Sequence, residues 1–256
     1  MKHRPSLAAL VAAEWTRVRC RPVVGRLPLL LGAATGGSAA LLFAGGIDLH
    51  AAQQLDAVSG TVAMALVVLS FGIGAATVQD TFTSGTAATD HALVGRRRAE
   101  LVAQQVGAAA WLAVLGLAVQ LGLATGFVLG HAAQRGAAIS AGAWQHAVVL
   151  AMPRTVAAAA LAGGLGASTV QLTRSAPAAL GALATCLLVL DGLVATLAPA
   201  AVGLILPDHL FALGKGSTTG LAAADWSVTS SSVAAVLGVV AVAGVAALVE
   251  GARDLP

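Results

Sequence analysis

Six long apolar stretches run through this chain, at about residues 27–46, 57–78, 105–130, 147–170, 176–206 and 230–250. An α-helix needs about 20 predominantly apolar residues to cross the ~30 Å hydrocarbon core of a bilayer, and each stretch reaches that length. Four of them (27–46, 57–78, 105–130 and 230–249) contain no Asp, Glu, Lys or Arg. Inside lipid a backbone amide must find its partner within its own segment, so runs of this kind are helical. The alternating pattern of an outer-membrane barrel is absent. Only 10% of the 256 residues are charged, against about 25% in an ordinary soluble domain. That is too few to cover a soluble surface. The expected fold is all-α, a single polytopic transmembrane domain over residues 1–256.

The net charge of +3 and pI near 9.5 could suggest nucleic acid, but the distribution of the basic residues reads as topology. Lys2, Arg4, Arg17, Arg19, Arg21 and Arg26 precede the first stretch. Arg96, Arg97 and Arg98 lie between the second and third, Arg174 between the fourth and fifth, and Arg253 after the sixth. If the spans alternate, all of these share one side, while the other side holds Arg135 and Lys215, with Arg154 near its edge. The crowded side is then the cytoplasm, with both termini in it. Nucleic acid is not an expected partner; the lipid bilayer is. The 26-residue charged leader and the length of the apolar run after it argue against a cleaved signal peptide. The Ala- and Gly-rich composition points to a high-GC bacterium, and so to a bacterial cytoplasmic membrane.

Residues 6–21 place Leu7, Leu10, Val11, Trp15 and Val18 on one helical face. This fits an amphipathic helix lying in the interface, with Trp15 at headgroup level. Glu14 falls inside the apolar sector. It either snorkels or pairs with Arg17 at i,i+3, or it contacts a partner protein or the cytoplasmic loop. Pro22 ends this helix and Pro28 opens the next. Pro199 and Pro207 interrupt the fifth stretch, so its crossing is expected over 176–198. Residues 199–229 then supply re-entrant or interfacial helices, which lipid tolerates only when protein buries them.

Few residues carry chemistry. Gly214-Lys215-Gly216-Ser217 fails as a phosphate loop, because Gly216 follows the Lys where a Ser or Thr is needed and His209 stands where the first Gly should be. No nucleophile elbow, H-E-x-x-H or Cys/His metal spacing occurs. The chain is therefore not expected to be an enzyme or to hold a metal. Asp191 sits midway through the fifth span, where a carboxylate is expensive. It lies on a substrate or ion path, or it makes a structural hydrogen bond. Gly122, Gly126 and Gly130 in the third stretch, and Gly32 and Gly36 in the first, permit close helix approach without locating an interface.

The loop after the second stretch, residues 79–104, is the most polar cytoplasmic connector. It runs Asp80, then Gly85-Thr86, then the apolar run Ala87 to Val94, then Arg96 to Arg98. With the acidic residue Glu14 in the leader, six spans and the long segment before the sixth, the chain resembles the permease subunits of type-2 ATP-binding-cassette (ABC) transporters. The resemblance implies an exporter that moves a hydrophobic or amphiphilic substrate. Two permease chains, this one with a second copy or a related one, would enclose the pathway. Two copies of a separate cytoplasmic ATPase would drive it, carrying ATP and Mg that this chain does not hold. It also implies that Glu14, Asp80, Gly85, Thr86, Arg96, Arg97 and Arg98 couple to that ATPase. Two alternatives stand beside it: a non-transporting scaffold or assembly factor that docks through the same loop, and an ion-coupled carrier that uses Asp191.

Overall fold

The computed structural model describes residues 5–21, 24–44, 51–83, 97–133, 150–197, 205–219, 221 and 226–252. The described residues are all-α. In chain order the helices are α1 Leu7–Cys20, α2 Leu27–Ala44, α3 Ala51–Thr83, α4 Arg97–Ala133, α5 Met152–Thr173, α6 Ala176–Thr185, α7 Asp191–Leu197, α8 Leu206–Lys215 and α9 Val228–Ala252. A 3-10 turn, Val24–Arg26, leads into α2, and a π-helical segment, Cys186–Leu190, joins α6 to α7.

Among the described residues, four helices are long and apolar enough to cross a membrane: Val58–Thr83, Arg98–Gly130, Met152–Thr173 and Val228–Glu250. A fifth is reached if α1 and α2, bent by 91° at their junction, are counted as one broken span. The fifth apolar stretch, expected as one crossing over 176–198, is helical in three pieces. Its α-helical geometry gives way to a wider π turn directly before Asp191. Two helices outrun their apolar cores. At 1.5 Å per residue α3 is about 50 Å long and α4 about 55 Å, well beyond a ~30 Å hydrocarbon layer. Residues 79–83 and 97–104, expected in a loop, are therefore helical.

Local chemistry sets the helix ends. Ser6 caps α1 by accepting from the Ala9 N–H at 3.2 Å. The chain then turns sharply, with the Gly25 N–H donating to the Arg21 carbonyl at 2.7 Å. A β-carbon at Gly25 would run into the Arg19 carbonyl, so only glycine fits this elbow. Pro153, Pro177 and Pro207 sit in the first turns of α5, α6 and α8, where the missing N–H has no helical partner to lose. Gly216 ends α8 in the left-handed region at φ 72°, which is nearly free of strain for glycine. The Gly-Lys-Gly-Ser run thus closes a helix, whereas a phosphate loop opens one.

Packing makes α5 the centre: two-thirds (67%) of its most apolar window is buried, against 22% for α9. Small residues bring the backbones together. Gly74 of α3 meets Gly163 of α5, and Gly166 meets the Phe71 carbonyl. Gly32 and Gly36 of α2 face Gly122 and Gly126 of α4. The G-x-x-x-G runs seen in the sequence therefore meet each other within one chain. The helices alternate in direction. The ends of α3, α5 and α9 gather with α1 and the start of α4 at one end, called here the leader end. At the opposite end α8 wedges between α3, α5 and α9, with Leu210, Phe211 and Leu213 buried.

Candidate coupling site at the leader end

The leader helix is fastened to both helices that flank residues 84–96. On the α3 side, Arg21 places Nη1 2.8 Å from Asp80 Oδ2 and donates from Nη2 to the Thr77 carbonyl at 3.3 Å. Arg21 thus spans one turn of α3, from the Thr77 carbonyl to the Asp80 carboxylate. The Asp80 side chain remains 65% exposed, so the pair itself contributes little to stability. Its value is positional.

On the α4 side, Trp15 meets Trp111 edge to face with ring centroids 5.3 Å apart, a geometry aromatic pairs favour. One turn nearer the start of α4, a β-carbon at Gly107 would lie 3.0 Å from the Glu14 Cβ. That glycine makes room for α1. Glu14 Oε1 takes Arg17 Nη1 at 2.9 Å, the i,i+3 pair the sequence offered as one of its two readings.

Beneath this surface a polar cluster ties α4, α5 and α9. Gln105 Nε2 donates to Gln171 Oε1 at 2.6 Å and to the Ala243 carbonyl at 3.2 Å. Gln171 Nε2 donates to the Leu101 carbonyl at 3.1 Å and to Gln104 Oε1 at 3.3 Å. Glu100 is buried beside them. At the end of α5, Arg174 adopts the left-handed conformation (φ 55°). It grips Glu250 of α9 with both arms of its guanidinium, Nε to Oε2 at 3.2 Å and Nη2 to Oε1 at 2.8 Å. The Glu250 side chain is fully buried. Buried polar groups need such partners, because an unmade bond in a low-dielectric interior is costly. Gln79 of α3 completes the arrangement, its Oε1 accepting from the Ala176 N–H at the start of α6 at 2.6 Å.

Of the residues singled out in the sequence, Glu14 and Asp80 are brought to one end and both held by the leader. Arg98 is exposed in the first turn of α4, two residues before the buried Glu100. Gly85, Thr86 and Arg96 lie outside the described residues, as do the side chains of Arg97 and Asp191. The backbone of Asp191 begins α7. Arg21, Gln79, Gln105, Gln171, Arg174 and Glu250 were not foreseen. A signal for the last four existed. Polar side chains at the ends of apolar stretches fall on the same side once the spans alternate, and in lipid such groups seek one another.

The far end carries its own polar features. Asp208 and His209 of α8 are buried, and His209 packs on Trp226 with centroids 4.7 Å apart. Lys215 Nζ donates to the Thr219 carbonyl at 2.7 Å. Deeper in the bundle Gln120 Nε2 donates to Ser59 Oγ at 3.1 Å.

Compared with protein-family models, curated proteins and solved structures, the chain matches none.

Proposed function

We propose that this chain is the permease subunit of an ABC exporter, with six crossings, both termini in the cytoplasm and the leader end facing a separate ATPase. The observation that carries the reading is the fastening of α1 to both helices flanking residues 84–96, through Arg21–Asp80 on one side and Trp15–Trp111 on the other. A motor that closes on ATP must push on a surface stiff enough to pass the motion on. A leader braced against α3 and α4 supplies one. α8 fills the role of the re-entrant element between the fifth and sixth crossings. The apolar walls favour a hydrophobic or amphiphilic cargo, carried between this chain and a second permease.

The test is pull-down and transport in one system. Expressed with its neighbouring ATPase, the chain is expected to co-purify with it, to hydrolyse no ATP alone, and to lower cellular accumulation of an amphiphilic dye. Converting Arg96, Arg97 and Arg98 together to Ala is expected to cut ATPase capture at least about tenfold, the equivalent of losing about 1.4 kcal/mol of docking. Capture and efflux that survive this triple change remove the docking assignment. Capture with no efflux, and no stimulation of the ATPase by any cargo, favours the scaffold reading.

The π segment ahead of Asp191 supports the carrier as a second reading, since such bulges often mark functional positions in helices. Proton-driven flux without any ATPase, abolished by Asp191→Asn, would replace the exporter.

A further inference from the structure

The start of α6 has its backbone donors accounted for. Ser175 Oγ accepts from the Ala178 N–H at 3.3 Å, and the Ser175 carbonyl accepts from the Ala179 N–H at 3.0 Å. Pro177 has no N–H. One donor remains, Ala176, and its partner is distant in sequence: Gln79 Oε1 on α3, at 2.6 Å. Ala176 is half-buried at this helix start, and the Gln79 oxygen satisfies its N–H.

Gln79 is also inside the turn of α3 that the leader holds. Thr77 and Asp80 are one turn apart on a helix, and Arg21 bridges them, bonding the Thr77 carbonyl and the Asp80 carboxylate. Thr83 Oγ1 folds back on the Gln79 and Asp80 carbonyls at 3.2 and 3.4 Å, which closes the end of the helix. The bonds of Arg21, Gln79 and Thr83 thus fall within the last two turns of α3.

The other flank of the α5–α6 turn is fixed by a stronger contact, the two-armed, charged Arg174–Glu250 pair. Charge-assisted paired bonds outlast single neutral ones. When this junction is disturbed, the Gln79–Ala176 bond is the one to give.

We infer that the end of α3 is a built-in relay in which the leader's grip on residues 77–80, through Arg21, determines whether α6 keeps its cap from Gln79. Release of Arg21 loosens the last turns of α3 and withdraws the Gln79 oxygen. The first turn of α6 then opens, and the change enters a helix that continues through the π segment to Asp191. This coupling is a property of the chain alone. Its use by an ATPase rests on the exporter reading.

Amide hydrogen exchange on the purified full chain in lipid nanodiscs, without any ATPase, tests it. Gln79→Leu, which keeps the bulk and removes the acceptor, is expected to speed exchange over residues 176–180 by about fivefold, the equivalent of one net hydrogen bond. Gln79→Glu keeps an acceptor oxygen and should retain protection. Arg21→Gln is expected to speed exchange over the same residues, although it touches none of them. The double variant Arg21→Gln/Gln79→Leu should be no faster than Gln79→Leu alone, because both changes act on one bond. Loosening that stays within α1 and α3 in Arg21→Gln, or rate increases that multiply in the double variant, would overturn the relay. Exchange within α4 and α5 monitors global folding. If Arg21→Gln disturbs it, Asp80→Asn, which removes the same ion pair from the other side, decides by the same two readings. A failed ATPase pull-down leaves this result untouched, so the two ideas fall separately.

Discussion

Replacing Arg174 with alanine is expected to destabilise the bundle by about 3 kcal/mol, the low end for stripping one partner from a buried ion pair. The low end applies because the Arg174 side chain is 34% exposed, so water relieves part of the cost, while the fully buried Glu250 gains none of that relief. Reversible unfolding in mixed micelles would read the change. Three companion variants apportion it. Arg174→Gly should lose about 1 kcal/mol less than Arg174→Ala, since the site sits at φ 55° and glycine adopts that region without strain. Arg174→Lys keeps the charge but not the fork and should fall between wild type and alanine. Arg174→Leu with Glu250→Leu removes both charges and should recover most of the loss. A double variant as unstable as Arg174→Ala would show that the pair is not what holds α5 to α9.

The second large effect is expected at the α2–α4 crossing. A β-carbon at Gly122 would overlap the Gly32 carbonyl, and one at Gly126 the Gly36 carbonyl. Backbone atoms cannot swing aside as a flexible side chain can. Gly122→Ala is therefore expected to cost about 2 kcal/mol, within the range for overpacking a tight interface, and to release α2 from α4 without expelling it from the membrane. Gly37→Ala is the control, because a β-carbon there meets nothing within 4 Å. Faster amide exchange along α2 in Gly122→Ala, absent from Gly37→Ala, is the expected pattern. Equal behaviour of the two would mean that α2 does not rely on this crossing.

Much of the fold was legible because hydropathy is decisive in lipid. Stretches without a charge had to be helices, and the leader helix was bounded within a residue or two by Ser6 and Pro22. Hydropathy marks only the part of a helix that lipid sees. The second and third stretches were expected at 57–78 and 105–130, but their helices continue through polar residues to Thr83 and back to Arg97. The π turn at Cys186–Leu190 left no trace, since Cys-Leu-Leu-Val-Leu reads as ordinary helix. The Glu14–Arg17 pair was legible because it is local, one turn apart. The resemblance marks Asp80 as the acidic residue that opens a loop, and sequence shows neither its helical setting nor its partner Arg21. That pairing depends on how α1 turns at Gly25 and where it lands. The Gln105–Gln171 and Arg174–Glu250 contacts were hidden for a related reason. Sequence shows which side of the membrane such groups share, but not which faces of the helices rotate together.

The great length of α4 has a mechanical consequence. Trp111 is where the leader braces it. The segment 97–111 above that brace is about 21 Å long and the remainder to Ala133 about 33 Å, at 1.5 Å per residue. A rod held at such a fulcrum trades force for travel. Treated as rigid, a 3 Å push at Arg97 swings the opposite tip by about 5 Å.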